Sequence, residues 1–323
     1  MRSARPRHPW RPILASLLTV GMTACQDGSA PPEVREPRQV VGGPLAPSEG
    51  TLLGAWVKPR FGWLKPKQKQ ALRRFESAIG RHLDIVHHYV PAGAPLGWNP
   101  AWHLSRGQIP LISLGGLNSN EVLAGTHDRY LTSIATSLGD LERPVFVRYG
   151  AEMDGDRNRA WVVSPSAYIS AWRHIRTLFD GTSAVWVWAP NAAAFARGVA
   201  PRYYPGDRYV DWIAADGFNW NGCRGDPWEE FSDIFEAFYA WGARTGKPLM
   251  VSETGTVEDP SDPTRKAEWL ARTASTIKTS MPAVRALVYF HSDRDCRWWL
   301  DTSPESLEAF RDLAIDPHFT PNA

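Results

Sequence analysis

The sequence lacks three features that would point to common classes of protein. After residue 24 it has no apolar run that is long and charge-free enough to cross a membrane. Its formal net charge of +2 comes from the first 24 residues, so the rest of the chain shows no basic footprint for nucleic acid. No Gly-x-Gly-x-x-Gly or Walker-type loop follows a predicted strand, which argues against a nucleotide site.

The first 24 residues are typical of a secretory signal. They contain four arginines, no carboxylate, and an apolar stretch at 13–22 that is too short to span a membrane. The run Met22-Thr23-Ala24-Cys25 resembles a bacterial lipobox, in which the cysteine becomes the lipidated amino terminus. We therefore expect export, with Cys25 as the lipidation site and its lipid as the only membrane attachment. Simple cleavage and secretion is the alternative.

The segment 25–50 differs in composition from the rest of the chain. It contains five prolines, several glycines and serines, and little that could be buried, which predicts a flexible tether. Residues 51–323 then form the predicted catalytic domain, whose length is close to the roughly 250 residues of one βα barrel.

Eight short apolar runs in this domain read as buried parallel strands, each followed by a loop and a segment of helical periodicity. One such helix is predicted to open at Asp226-Pro227. Eight alternating units in one domain favour a closed barrel over an open sheet, so the predicted fold is α/β, a single (β/α)8 TIM barrel. The predicted strands are 52–57, 84–90, 110–114, 145–151, 184–189, 210–215, 249–252 and 286–291.

Two glutamates stand at the predicted ends of strands four and seven. Strand ends of a barrel meet at one mouth, so Glu152 and Glu253 are expected to face each other there. Cleavage of a glycosidic bond with retention needs two carboxyl groups about 5 to 5.5 Å apart. The alternative for each glutamate is a helix cap, where the helix dipole favours a carboxylate.

The motifs around these glutamates resemble those of glycoside hydrolase family 26, a group of retaining β-mannanases and related β-glycanases. The resemblance implies that Glu152 is the acid/base and Glu253 the nucleophile, with no metal and no organic cofactor. The chain departs from the family pattern at Ala151, where a histidine is usual, and at Asp154, where an asparagine is usual, which leaves mannan specificity open. The motifs that carry the resemblance are Arg148 with Glu152-Met153-x-Gly155, Trp186-Val187-Trp188-Ala189-Pro190-Asn191, Tyr204-Pro205-Gly206-Asp207 through Val210-Asp211-Trp212, Asp216-Gly217-Phe218-Asn219-Trp220, and Lys247-Pro248 through Glu253-Thr254-Gly255.

Several further side chains at or near strand ends are candidates for sugar binding. Arg148 either keeps a neighbouring carboxylate ionised or forms a structural ion pair. Tryptophan rings can stack on the apolar faces of pyranose rings, and packing in the core is the alternative for each of them. The tryptophan candidates are Trp188, Trp220, Trp298 and Trp299, with Trp161 flanking them, and the candidate hydroxyl partners are Asn219 and His88.

Cysteine and histidine positions give two more predictions. With Cys25 lipidated, Cys223 and Cys296 form an even pair that predicts a disulfide between two rim loops, against two free thiols. His87 and His88 are strand neighbours that point to opposite faces, so they cannot bind one metal ion together.

The sequence thus predicts a monomeric, exported endo-β-glycanase that hydrolyses a polysaccharide. β-1,4-Mannan is the first predicted substrate, and mixed-linkage β-glucan or xylan is the alternative. A hypothesis of another class is a non-catalytic surface lipoprotein that only binds glycans, although a binder has no need of two matched glutamates.

Overall fold

The computed structural model describes residues 42–62, 65–96 and 100–321. The predicted signal, the lipidation site Cys25 and most of the predicted tether lie outside these residues. Eight parallel strands pair in chain order, and the eighth pairs with the first, so that the sheet closes into a barrel. The predicted single (β/α)8 barrel is confirmed. No helix in the described ranges has the length and apolar character that crossing a bilayer requires.

The strands and helices alternate along the chain. The strands are β1 (Leu52–Val57), β2 (Ile85–Val90), β3 (Ile109–Leu114), β4 (Val145–Tyr149), β5 (Ala184–Trp188), β6 (Trp212–Asn219), β7 (Leu249–Thr256) and β8 (Val284–His291). The helices are α1 (Lys65–Ile79), α2 (Pro100–Leu104), α3 (Ser119–Leu123), α4 (Asp128–Gly139), α5 (Arg159–Val162), α6 (Pro165–Leu178), α7 (Ala192–Ala196), α8 (Phe231–Gly242), α9 (Arg265–Thr279) and α10 (Pro304–Ile315).

Strands β6 and β7 extend four residues beyond their predicted ends. Their pairing continues past the apolar runs to Asn219 and Thr256, with a shift of register between Ala215 and Asp216. A second irregularity lies opposite β8, between Val251 and Thr254. Bulges of this kind re-aim side chains next to functional sites, and Glu253 consequently lies within β7 instead of following it.

Side chains alternate between two apolar layers. One layer fills the barrel and includes Leu111, Phe146, Val187 and Met250. The other lies between the strands and the surrounding helices and is larger. This period-two alternation decides which residue at each strand end faces the mouth.

Part of the predicted tether is packed against the domain. Leu45 and Ala46 contact the apolar layer inside the barrel, and the Pro44 carbonyl accepts a hydrogen bond from Trp212 Nε1 at 2.8 Å. The prediction of a flexible tether is therefore wrong for these residues, because their apolar side chains cover the core near the strand starts.

Helix α8 begins at Phe231, so the prediction that it opens at Asp226-Pro227 is wrong. The side-chain oxygen of Asn219 accepts hydrogen bonds from the backbone nitrogens of Asn221 and Glu229 at 3.3 and 3.2 Å. The preceding loop therefore satisfies its backbone donors through Asn219 and does not need a helical turn there.

Candidate active site

Glu152 reaches the mouth of the barrel on a loop with an unusual backbone. Gly150 and Glu152 both have positive φ, 52° and 55°. The Glu152 nitrogen donates to the Ala189 carbonyl at 2.8 Å, and its carbonyl accepts from Gly155 N at 2.9 Å and Asn158 Nδ2 at 2.7 Å. These bonds from three directions hold a conformation that a non-glycine residue rarely adopts.

Trp161 lies against the same loop. Its Nε1 donates to Asn158 Oδ1 at 3.0 Å, and a methyl group added at Gly150 would lie 2.5 Å from its ring. A methyl group at Gly116 would lie 2.3 Å from the ring, so glycine at both positions makes room for the indole. Trp161 is half-buried and packs against the loop that carries Glu152.

Glu253 is held from one side by a buried arginine. Arg148 Nη2 donates to Glu253 Oε1, while Nη1 donates to both carboxylate oxygens of Asp216 at 2.8 and 2.7 Å. Arg148 Nε donates to Ser113 Oγ at 2.8 Å, which leaves the guanidinium no freedom to turn. Arg148 thus contacts the predicted nucleophile and also forms a buried ion pair with a second carboxylate, Asp216.

Neither glutamate is a helix cap. Glu253 lies inside β7, and the next helix, α9, has Thr264 as its N-cap. The short 3-10 helix after Glu152 begins at Asp156, with Gly155 as its N-cap and no side-chain cap. The alternative explanation of these carboxylates therefore does not apply.

The two glutamates interact electrostatically. Burial, followed by the charge of Glu253, raises the pKa of Glu152 to about 7, against the opposing effect of Arg148. Asp154 raises the pKa further and Arg157 lowers it. Glu152 is thus a carboxylic acid that keeps its proton in weakly acid solution, and the charge of Glu253 contributes to this.

Asp216 is a third carboxyl group at this site and was not predicted as a site residue. It is buried, it accepts hydrogen bonds from Arg148 and from Ser252 Oγ at 2.7 Å, and burial raises its pKa well above the usual range. The sequence carried a signal for it, since Asp216 directly follows the predicted end of strand six within one of the motifs quoted above.

Aromatic side chains form a group at the mouth, which we call the mouth cluster: Trp56, Tyr89, Phe218, Trp220, Phe290 and Trp298. Trp56 stacks on Phe290 with ring centroids 4.7 Å apart, and Tyr89 meets the edge of Trp56 at 5.2 Å. Phe218 links Phe290, at 5.6 Å, to Trp298, at 5.0 Å. Trp56, Tyr89 and Phe290 were not predicted, because each lies within a predicted strand that reads as plain core, and Phe218 was quoted only as part of a family motif.

Of the predicted tryptophans, Trp220 keeps an accessible ring and Trp298 does not. Trp298 is buried; its ring centroid lies 4.9 Å from that of Trp220, and its nearest ring atom lies 3.3 Å from where a Cβ at Gly255 would be. The prediction that Trp298 stacks on a sugar ring is wrong, because the Trp298 ring is buried and packs against Trp220. Trp220 is half-buried, with the Arg224 guanidinium 3.3 Å from its ring centroid.

Trp188 and Trp299 lie outside the barrel, so the prediction that they bind sugar is wrong. Trp188 is fully buried and packs 5.0 Å from Tyr204 and 5.6 Å from Trp241 in the layer beneath the helices. Trp299 is buried beside His291 and under Arg60, where it lines a separate cavity of about 370 Å³ next to α1.

His88 and Asn219 are also turned away from the mouth, which corrects two further predictions. His88 faces α2, with its Nε2 3.0 Å from His103 Nε2, whereas His87 faces inward and its Nε2 accepts from Ser113 Oγ at 2.7 Å. Asn219 is fully buried, and its Nδ2 donates to Thr256 Oγ1 at 2.9 Å. Successive side chains on a strand point to opposite faces, so in each case it is the adjacent residue that faces the barrel axis.

The predicted disulfide is confirmed. Cys223 and Cys296 are bonded, with their Cα atoms 6.0 Å apart. The bond joins the loop after β6 to the segment after β8, which carry Trp220 and Trp298. As expected from the sequence, it ties two rim loops together next to the mouth cluster.

Comparisons with known proteins agree with this architecture. No family model matches the chain. It is 29% identical over 283 residues to Endoglucanase H of Acetivibrio thermocellus, which covers 82% of this chain and 30% of that protein. It is 23% identical over 208 residues to a β-1,3-xylanase of an Alcaligenes species, which covers 58% of this chain and 43% of that one. The chain therefore spans less than half the length of either relative.

Two solved structures share the fold. An endo-β-1,4-mannanase double mutant of Cellulomonas fimi superposes with a TM-score of 0.61 at 18% identity, over 83% of this chain and 71% of that chain. A family 26 β-mannanase of Bacteroides ovatus gives a TM-score of 0.58 at 15% identity, over 84% and 90%. The chain resembles glycoside hydrolase family 26.

Ala151 and Asp154, the two residues that depart from the family pattern, make defined contacts. Ala151 packs against the apolar layer inside the barrel. Asp154 accepts a hydrogen bond from Asn191 N at 2.8 Å and from Asn191 Nδ2 at 3.2 Å, which fastens the Glu152 loop to the segment after β5.

Proposed function

We propose that this chain is a retaining endo-β-glycanase that hydrolyses β-glycosidic bonds in a polysaccharide. The observation that carries the proposal is the electrostatic pairing of two unlike glutamates, Glu152 with a pKa raised to about 7 and Glu253 bound to the Arg148 guanidinium. Retaining hydrolysis needs this division between a protonated acid and an ionised nucleophile.

In the first step, a Glu253 oxygen attacks the anomeric carbon and the bond to the leaving oxygen breaks. Glu152 gives its proton to that oxygen, so the leaving sugar departs as an alcohol. Arg148 donates a charge-assisted hydrogen bond to the Glu253 carboxylate and so fixes the carboxylate in place for this attack.

In the second step, a water molecule attacks the same carbon and transfers a proton to Glu152. The bond from the sugar to Glu253 breaks, and the carboxylate regains its charge beside Arg148. Each residue returns to its starting state, and no metal or organic cofactor is needed for the cycle.

The mouth cluster supports a carbohydrate substrate. Pyranose rings present apolar C–H faces, and the half-buried ring of Trp220 and the partly exposed ring of Tyr89 offer apolar surface at the barrel mouth. Trp161 offers a third ring on the Glu152 side of the mouth.

β-1,4-Mannan is the first proposed backbone. It is supported by the shared fold with the Cellulomonas fimi endo-β-1,4-mannanase and the Bacteroides ovatus β-mannanase, each of which covers more than 80% of this chain.

A β-glucan backbone is the second candidate, and two observations favour it. The relative with 29% identity is named an endoglucanase, and its match extends over 82% of the chain. Ala151 also replaces the histidine that is usual in the mannanase pattern.

The fate of the amino terminus is a further proposal. We propose export, with lipid on Cys25 as the membrane anchor and secretion as the alternative, and action as a monomer. Metabolic labelling with a radioactive fatty acid is expected to label the wild-type chain and not the variant Cys25→Ala.

The function is tested by measuring reducing-sugar release from mannan, mixed-linkage β-glucan and xylan. Wild type is expected to hydrolyse at least one of them, and Glu253→Gln and Glu152→Gln are expected to lose most of that activity. Glu308→Gln, an exposed site on α10, is the matched control and is expected to behave as wild type. Binding to one of the polysaccharides without turnover would instead support the non-catalytic lipoprotein.

A further inference from the structure

The cavity next to α1, which we call the α1 cavity, has a volume of about 370 Å³ and lies at the same end of the barrel as the mouth. Val57 and His291, the last residues of β1 and β8, pair with each other and line it. The residues before them, Trp56 and Phe290, also pair and belong to the mouth cluster. Because successive side chains on a strand point to opposite faces, the α1 cavity and the mouth cluster lie on opposite sides of the same two strand ends.

Aromatic rings form the floor of the α1 cavity. Phe75 of α1 packs against His291 with ring centroids 4.7 Å apart, and His291 meets the edge of Trp299 at 4.7 Å. Burial lowers the pKa of His291 to about 3, so this floor is neutral. Arg60 covers Trp299, with its guanidinium 4.5 Å from the ring centroid. Phe61 also lines the cavity and is 80% exposed, so its ring is the apolar surface that a ligand can reach.

The α1 cavity carries an excess of positive charge. Four of the charged side chains that line it are cationic, and one, Asp301, is a carboxylate. Asp301 pairs with Arg60 at 2.5 Å, and Lys58 pairs with a carboxylate of the segment after β8. Lys67 and Arg74 have no ion-pair partner within the part of the chain that the structure describes. Two cations of the cavity are therefore left for an anion from outside.

These two cations share one face of α1. Lys67 and Arg74 are seven residues apart, which is two turns or about 10 Å along the helix axis, and both are exposed. Arg73, the neighbour of Arg74, points elsewhere, with its guanidinium 5.8 Å from the centroid of the Trp102 ring. The helix thus presents a pair of cations to the cavity and a third cation to a different surface.

We propose that the α1 cavity binds an acidic sugar, whose anionic group contacts Lys67 and Arg74 and whose apolar C–H face packs against Phe61. A guanidinium binds a carboxylate or sulfate through two parallel hydrogen bonds, and an ammonium adds a point charge. The volume lies near the lower end of the range for small-molecule sites, about 300–1,000 Å³, which suits one or two sugar rings. The site contains neither glutamate, so this inference does not depend on the proposed hydrolysis.

The first test compares three sugars by isothermal titration calorimetry at equal ionic strength. Wild type is expected to bind D-glucuronate with a Kd of about 1–10 mM, the range for a ligand of this size. D-Glucose is expected to bind at least about 10-fold more weakly, because it brings no anion to the two cations. D-Glucose 6-sulfate separates two sources of the charge: tighter binding than glucuronate assigns the site to sulfated sugars, and weaker binding assigns it to uronic acids.

Substitutions on α1 test the location of the site. Arg74→Gln and Lys67→Gln are each expected to raise the Kd for glucuronate by about three- to tenfold, as for a partly exposed hydrogen bond between charged groups. Arg73→Gln is the matched control, because it removes the same charge from the same helix on the Trp102 side. It is expected to keep the wild-type Kd.

A further variant separates a sugar from a bare anion. Phe61→Ala removes the exposed ring and is expected to raise the Kd for glucuronate by about two- to tenfold. The Kd for inorganic sulfate is expected to stay unchanged in this variant, because sulfate has no apolar face to pack on the ring.

The outcomes separate this site from the proposed function. The acidic-sugar site is refuted if glucuronate does not bind, if it binds wild type and Arg74→Gln with equal Kd, or if inorganic sulfate binds more tightly than both acidic sugars. If wild type hydrolyses no polysaccharide but binds glucuronate through Arg74, the proposed function fails and the site remains. Thermal unfolding of all variants checks that weaker binding does not reflect loss of folded protein.

Discussion

The two glutamates at the barrel mouth are held in different ways. Glu253 lies in a paired strand, and its carboxylate is bound by Arg148, which is itself fixed by Asp216 and Ser113. Glu152 lies on a loop, and the hydrogen bonds that hold it in place are those of its backbone. Glu253 is therefore positioned through its side chain, and Glu152 through its main chain.

This difference matches what each group has to do in the proposed reaction. A nucleophile must be ionised and must not move, so bonds to its carboxylate help it. An acid/base must hold and release a proton, so its carboxyl benefits from a setting that disfavours charge, as the pKa of about 7 for Glu152 indicates. The predictions below test this contrast.

The largest expected effect comes from removing either glutamate and varying the leaving group. Glu253→Ala is expected to lose at least about 10³-fold in kcat on every substrate, because no nucleophile remains. Glu152→Ala is expected to lose a similar factor on polysaccharide but to still cleave the glycosidic bond of a 2,4-dinitrophenyl glycoside, whose leaving group needs no proton. Rates of dinitrophenol release measure this, and equal losses for both variants on both substrates would contradict the assignment.

Removal of Arg148 tests the side-chain half of the contrast. Arg148→Met leaves Asp216 and Glu253 buried without their cation, and breaking a buried pair typically costs about 3–5 kcal/mol. Urea denaturation is expected to show that loss in the free energy of unfolding. Arg159→Met removes an arginine whose pair with Asp156 is largely exposed, and it is expected to change stability little. Equal urea midpoints for the two variants would mean that the buried network does not hold the site.

A change at Gly150 tests the main-chain half. Gly150→Ala places a methyl group 2.5 Å from the Trp161 ring at a φ of 52°, so a loss of about 1–3 kcal/mol in stability and a fall in kcat are expected. Gly139→Ala, at the end of α4 with nothing within 4 Å of the added methyl, is the control and is expected to be neutral or slightly stabilising. Thermal unfolding and kcat of both variants measure this. A Gly150→Ala variant with wild-type kcat would show that the loop does not depend on this conformation.

The fold could be predicted from the sequence because its signals are local. Eight apolar runs and their spacing predict the barrel, and all eight strands lie where these runs stand. The bulges in β6 and β7 could not be foreseen, since they depend on pairing between strands, and they move Glu253 into a strand interior.

The site was predictable only in part, because the sequence does not show which of two neighbouring residues at a strand end faces the barrel axis. Glu152, Glu253 and Arg148 could be proposed from motifs, but Trp188 and His88 face outward while their neighbours Val187 and His87 face inward. Tyr89 was missed for the same reason, since the sequence does not show that it shares the inward face of β2 with His87.

The smallest expected effect tests how the loop tunes its own glutamate. Asp154 is buried two residues after Glu152, and its charge raises the pKa of Glu152. Asp154→Asn removes that charge while its side-chain oxygen can still accept from Asn191 N, so the pKa of Glu152 is expected to fall below about 7. Because Glu152 must be protonated to act as the acid, the alkaline limb of kcat/KM against pH is expected to move to lower pH. Asp156→Asn, an exposed change on the same loop, is expected to leave the limb where it is. A limb that moves to higher pH in Asp154→Asn would show that Asp154 acts on the position of Glu152 and not on its charge.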